Sequence, residues 1–241
     1  MSETPNSFSG NNLSGTGLVG RHDIYGPIHK GLRLAQAGLL TRIGSTDFED
    51  AVATVALLDE LKSNLDFFKA HLRHEEEVMH AAVEAKAPGT MARLEEQHDE
   101  HRYRFHELEQ LIATIEATPA RQRAPLGRAL YLAFTNYMSE DFAHMREEET
   151  VMWPTLCALF TDEELQAQEG QIVSQLSPDE AIFSMRLMIP SMNRVERAIF
   201  LAKVKTGAPP QAFNAVIEFA ARPTLSAEDF ADLSDRLGLA A

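Results

Sequence analysis

The nine histidines of the chain are unevenly placed, and their position on the apolar stripes of the sequence decides what they can do. His71 stands four residues before Glu75, and His144 four before Glu148. Each helical residue advances about 100° around the axis, so residues four apart share a face. Imidazole and carboxylate on one face offer lone pairs to a metal ion or to each other. The two segments also align without a gap: His71-Leu-Arg-His-Glu75-Glu-Glu-Val-Met79 on His144-Met-Arg-Glu-Glu148-Glu-Thr-Val-Met152. Both copies read H-x-x-x-E-x-x-x-M, with Arg two after the His. Such a repeat points to two equivalent contributions to one centre.

Helices must carry these groups. From Asp23 onward the apolar period is helical, and no convincing alternating strand pattern interrupts it. Helix 1 is expected from about Ile24 to Ile43, ended by Gly44. Helix 2 is expected from a capping box, Thr46 with Glu49, to about Lys86 before Pro88-Gly89. Helix 3 spans about Thr90 to Glu116. Helix 4 starts at Thr118-Pro119, settles after Pro125 and ends near Trp153-Pro154. Four long helices with short connections read as an all-α, up-down-up-down four-helix bundle. Residues 1–20, rich in Ser, Gly and Asn, read as a disordered tail, and 21–160 as the bundle. Residues 161–241 read as a C-terminal appendage of short helices that packs on the bundle or forms a homodimer. Its helix starts are Thr161 with Glu164, Ser177-Pro178 with Glu180, Pro209-Pro210 after Gly207, and Ser226 with Asp229.

The stripes place the chemistry inside. Helix 2 runs Leu61, Leu65, Phe68, Leu72, Glu75, Met79, with His71 on the Glu75 face; helix 3 runs Leu94, His98, His101, Phe105, Leu108, Ile112, Ile115. Helix 4 runs Leu130, Phe134, Tyr137, Asp141, His144, Glu148, Met152, and helix 1 adds His29 among inward neighbours. Five histidines and two glutamates thus interrupt apolar seams. Burying one uncompensated ionised group costs several kcal/mol, against a net domain stability of about 5–15 kcal/mol. A lone histidine of this kind is an ordinary core residue; seven groups need something to satisfy them all, and a pair of metal ions does so. Imidazole with carboxylate suits iron, with zinc or manganese poorer fits. One four-coordinate zinc would leave three of the groups idle, so two metals are expected. Tyr137 and Asp141 are candidates to orient a ligand imidazole or hydrogen-bond a bound oxygen species.

The remaining histidines read differently. His80 and Glu77 fall opposite the stripe, and His22 and His106 read as surface groups. His74, beside His71, is the substitute ligand if the register differs. The charge runs Glu75–Glu77 and Glu147–Glu149 read as solvated apart from one ligand in each. Glu77/His80 and Glu95/His98 spell the E-x-x-H of ferritin-like di-iron proteins, but neither glutamate lies on the inward face.

Composition narrows the classes. The net charge is −14, from 22 Lys plus Arg against 36 Asp plus Glu, which repels nucleic acid. The single cysteine, Cys157, excludes an internal disulfide framework and a Cys-rich metal site. No apolar run reaches the roughly 20 residues of a membrane span, and no secretory signal is visible. A soluble, cytoplasmic protein without nucleic-acid or membrane partners is the expectation.

Taken together, a first-helix His, H-x-x-x-E-x-x-x-M, a His pair on the third helix and H-x-x-x-E on the fourth resemble the hemerythrin-like, HHE cation-binding family over about residues 22–160. The resemblance implies a hemerythrin-like bundle with two iron ions joined by carboxylates and an oxo or hydroxo group. The ligands it implies are His29, His71, Glu75, His98, His101, His144 and Glu148, with Glu75 and Glu148 bridging. Two departures stand out. His98 and His101 are three apart, where the oxygen carriers space the pair by four, so one of them can be a supporting group. The last carboxylate is Glu four after its His, where the carriers use Asp five after. Binding of dioxygen, peroxide or another diatomic is the leading expectation, for storage, sensing or iron handling. A di-iron enzyme (peroxidase, ferroxidase or nitric-oxide-stress repair) is the second, and a metal-stabilised interaction module the third. Repair proteins of this type carry paired cysteines near the N-terminus, and Cys157 does not supply them.

Overall fold

The computed structural model describes residues 20–239, so the reading of 1–19 as a tail lies outside the described residues. No strand occurs among them. The bundle consists of α1 (Gly26–Ser45), α2 (Ala51–His74, continued by a π-turn at Glu75–His80 into Ala81–Lys86), α3 (Ala92–Ala117) and α4 (Ala124–Glu147, continued by a π-turn at Glu148–Met152 into Trp153–Leu159). Each packs on the next, and α4 returns to α1. Cross-helix partners show successive helices antiparallel: Arg42 meets Glu60, Lys62 and Lys69 meet Glu116 and Glu109, and Gln97 and Arg104 meet Glu147 and Glu140. Every residue of the three apolar stripes is buried. An apolar core from Leu39 and Phe48 to Phe105 and Tyr137 fills one end of the bundle; a second, around Met79, Leu94, Met152 and Leu156, fills the other. The polar groups lie between the two.

Several boundaries differ from the sequence reading. Asp50, not Thr46, caps α2, accepting from the N–H groups of Val52 and Ala53 at 2.9 and 3.1 Å. Thr46 instead donates to the Arg42 carbonyl at 2.8 Å and closes α1. A turn from Asp47 to Asp50 sets the acid beside the first free N–H groups, the position an N-cap must hold. Pro154 does not end α4, which runs to Leu159. It lies in the first turn after the π-turn at Glu148–Met152, where its missing N–H is not needed.

The helices after residue 160 are α5 (Asp162–Gln175), α6 (Pro178–Ser191), α7 (Arg194–Gly207), α8 (Pro210–Val216, through a π-turn at Ile217–Ala221 to Arg222–Thr224) and α9 (Ala227–Leu237). Capping boxes form at Thr161/Glu164 and Ser177/Glu180, and a third, Asn193/Glu196, opens α7. Helices α6 to α9 share an apolar core around Leu201, Phe213, Ala220 and Leu233. Buried Arg197 donates to the Ile189 and Met192 carbonyls and so satisfies the end of α6. Helix α6 lies along α1, and Gly31 permits the approach: a Cβ there would stand 3.1 Å from the backbone of Leu187 and Met188. Lys30 adds an ion pair to Glu196 of α7 at 2.7 Å. Arg21 ties the start of the described chain to the α4–α5 junction through Asp162 and the Cys157 and Phe160 carbonyls.

Gly31→Leu should cost roughly 1–3 kcal/mol by overpacking this seam. Gly38→Ala, in the same helix with nothing near its Cβ position, should gain roughly 0.5–1 kcal/mol. Thermal denaturation of the two variants checks the opposite signs; equal effects would contradict the close packing.

Candidate metal centre

The stripes of α1 to α4 converge at one level. His29 is fully buried, as are Glu75, His98, His101, His144 and Glu148, while the His71 side chain retains 12 % exposure. Two sets of donor atoms lie within 4.8 Å of one another: His29, His71 and Glu75 in one, Glu75, His98, His144 and Glu148 in the other. Glu75 belongs to both. Its Oε1 is 3.2 Å from His71 Nε2 and its Oε2 3.7 Å from His98 Nε2. Glu148 Oε2 likewise lies between His29 Nε2 at 3.3 Å and His144 Nε2 at 3.4 Å. The Nε2 atoms of His98 and His144 face each other at 3.1 Å. Bonds of roughly 2.0–2.2 Å from metal to imidazole or carboxylate place opposing donors about 4 Å apart. Both sets therefore have the span of a coordination shell.

The donors lack other partners. His29 Nε2, His71 Nε2 and both oxygens of Glu75 and Glu148 are buried without a hydrogen bond. Orphaned atoms of this number are rare in a folded interior. The charge balance agrees. Burial opposes ionisation of Glu75, but the surrounding imidazoles, His71 first, outweigh it and hold the carboxyl far below its ordinary range. Glu148 moves the other way, raised well above the usual value by burial and by the Glu75 charge. Two carboxylates this close cannot both ionise without a cation between them. Burial lowers His71 to about 4 and His144 to about 2, so both rings are neutral at pH 7 with a lone pair free.

The other face of each ring is held. His29 Nδ1 pairs with Glu149 Oε1 at 3.0 Å, and Arg33 clamps Glu149 at 2.6 and 3.1 Å. His98 Nδ1 pairs with Glu76 Oε1 at 3.0 Å, and Arg102 clamps Glu76 at 2.6 Å. The arrangement repeats: the glutamate after each central carboxylate orients the histidine of a neighbouring helix, and an Arg four after that histidine fixes it. Burial works against protonation of His29, but Glu149 and Glu75 outweigh it and raise its pKa. His144 Nδ1 donates to Gln97 Oε1 at 2.8 Å; Gln97 Nε2 donates to Glu147, which Arg93 holds at 2.6 Å. Such partners fix ring orientation and raise ligand basicity. Glu76, Glu147 and Glu149 are thus engaged, not the solvated groups that the charge runs imply.

His101 lies outside both donor sets, its ring edge-on to His144 at 4.9 Å. Its Nδ1 faces Asp141 Oδ1 at 3.8 Å, and Gln36 Nε2 donates to Asp141 Oδ2 at 2.5 Å. The buried Tyr137 hydroxyl lies beside the same carboxylate, and burial with this charge raises its pKa well above 10. The four residues form a polar layer next to the donor sets.

His80 corrects the sequence reading. It is 2 % exposed, and its ring stacks on His98 at 4.9 Å. The π-turn over Glu75–His80 is the cause: bonding five residues apart brings position 80 to the side that a residue four on would occupy. A matching turn starts at Glu148, so each central carboxylate opens one. His22 is also covered, its side chain 8 % exposed and its Nε2 3.0 Å from Glu169. His74 is buried but outside both sets, and His106, Glu77 and Glu95 are exposed. Tyr25 had no signal in the stripes because it precedes α1. Its buried hydroxyl has no partner, its ring stacks on His29 at 5.0 Å, and burial with the Glu148 and Glu75 charges raises its pKa.

Residues 28–156, more than half of the chain, match the Hemerythrin HHE cation binding domain. The chain belongs to the hemerythrin HHE family. No curated protein and no solved structure matches it. Cation binding and the helical bundle follow from that membership, and the donor sets of α1 to α4 fall within the matched span. Among the described residues no helix is long and apolar enough to cross a membrane.

Two outcomes distinguish a hemerythrin-type cation site from a polar core. The raised pKa of Glu148 means that its contribution to folding is present below the unfolded value and lost as pH rises, so metal-free protein carries the cost at pH 7. Glu148→Gln should therefore raise the metal-free melting temperature at pH 7, by roughly 2–4 °C per kcal/mol, and remove the stabilisation that added metal gives. Glu76→Ala and Glu149→Ala should each weaken metal binding by roughly 10–100-fold, read by chelator competition; unchanged affinity would contradict the orienting role.

Proposed function

We propose that this centre holds two iron ions and binds dioxygen or a related small molecule such as peroxide or nitric oxide. The observation that carries the reading is the pair of donor sets sharing Glu75, with lone pairs that no protein group satisfies. His29 and His71 would hold one ion, His98 and His144 the other, and Glu75 and Glu148 would bridge them, with an oxo or hydroxo group completing the link. The imidazole and carboxylate donors suit iron better than zinc or manganese. A bound iron pair supplies one- and two-electron exchange and open positions for a diatomic ligand.

Counting ligands gives the centre its character. Two six-coordinate ions offer twelve positions. Four histidines, two bridging carboxylates and a shared oxygen fill ten and leave two open. Were His101 also a ligand, one would remain. The position of His101 outside the donor sets thus favours the second reading as well, a di-iron enzyme acting on peroxide or ferrous iron. In both readings Tyr137 and Gln36 carry polar hydrogens and Asp141 accepts them beside His101, where a proton can be kept near the centre. The buried rings of Phe68, Phe105 and Phe134 pack on Tyr137 at 5.9, 5.1 and 5.9 Å.

Metal analysis of reconstituted variants tests the assignment. His101→Ala should retain two irons per chain, and His98→Ala should retain one or none. Equal loss in both would place His101 among the ligands and leave a single open position. Turnover of peroxide or ferrous iron by loaded protein separates the enzyme from a reversible binder.

A further inference from the structure

A cavity of about 430 Å³ lies between the bundle and the helices that follow it. Ile28, Phe67 and Met79 line it from α1 and α2, and Ile172, Phe183 and Met188 from α5 and α6. Tyr25, His71 and Glu75 also line it. Two observations connect the cavity to the centre. Among the six residues of the donor sets, only His71 keeps appreciable exposure, and it faces this space. The Tyr25 hydroxyl, in a residue 1 % exposed, has no partner in the protein. Half of the wall comes from α5 and α6, beyond the residues matched to the cation-binding domain.

The size is that of an organic ligand rather than a diatomic, since such sites run to about 300–1,000 Å³. The charge selects further. Besides Glu75, the carboxylates on the lining are Asp66, Glu169, Asp179 and Glu180, and neither lysine nor arginine is among the lining residues. An anionic ligand would meet repulsion and no counter-charge.

We propose that this cavity binds an uncharged, largely apolar organic molecule with one hydroxyl or carbonyl end, its polar end at Tyr25 and His71 and its body against the α5 and α6 wall. The inference rests on the proposed di-iron reading only for its sense, which is to bring an organic molecule to the exposed edge of the centre; the cavity is independent of it.

The test uses the full metal-loaded chain and the uncharged fluorophore N-phenyl-1-naphthylamine. Binding should be saturable and one-to-one, displaced by decanol and not by decanoate. Ala181→Phe on α6 and Ile172→Trp on α5 both fill the space, and each should weaken probe binding at least tenfold with metal content unchanged. Melting curves report whether the variants fold; should neither fold, the decanol and decanoate competition on the unmodified chain decides. No saturable binding, equal binding by a folded variant, or displacement by decanoate as strong as by decanol would overturn the proposal. Probe binding by a chain that takes up no metal would sustain the cavity and retire the di-iron reading; metal uptake without probe binding would do the reverse.

Discussion

Two carboxylates sit in the interior of this bundle, each with a donor atom within 4.8 Å of those of His98 and His144, and neither with a hydrogen bond to the protein. The surrounding imidazoles, His71 first, hold Glu75 below the ordinary carboxylate range, while burial and the Glu75 charge push Glu148 above it. The imidazoles relieve the desolvation of Glu75, but the like-charge repulsion and burial that act on Glu148 stay uncompensated by any protein group at this level. A positive ion between the carboxylates relieves both. The rest of the centre serves that requirement: rings with Nε2 inward, Glu149 and Glu76 on the Nδ1 atoms of His29 and His98, and Arg33 and Arg102 clamping those acids in place.

The orienting network shows how a four-helix frame is suited to the task. Within one helix, a His and a Glu four apart reach the same point. The next residue, Glu76 or Glu149, turns about 100° away and reaches an adjacent helix, where it meets His98 or His29. Each repeat therefore supplies donor atoms at its own level and a support for its neighbour. The π-turns that begin at Glu75 and Glu148 mark where helical regularity yields to the site, a common place for such turns. The match is incomplete at His71, whose ring opens toward the cavity under α5 and α6, and that asymmetry distinguishes the two ends of the centre.

Much of this was legible in the sequence because the helical period is a strong signal over long stretches. The three stripes that place Glu75, His98, His144 and Glu148 inward are buried at every position, and the cap residues Thr161, Ser177 and Ser226 open the helices expected of them. What escaped has physical reasons. His80 was misplaced because a π-turn changes the period where a single helical angle is assumed. The α2 cap was misplaced because Asp47 and Asp50 offered a competing turn beside Thr46. Glu76 and Glu149 look like solvated acids within their own helix, and their role appears only when another helix brings a histidine to them. Tyr25 and the cavity depend on chain outside any periodic stripe and on packing between distant segments.

The central claim is that the interior is shaped for two ions joined by Glu75 and Glu148. Anomalous diffraction at the iron edge, from crystals of the full chain grown with ferrous iron, tests it most directly. Two peaks inside the bundle, one beside His29 and His71, the other beside His98 and His144, with both glutamates reaching each, would agree. One interior peak, or peaks confined to the surface, would contradict it.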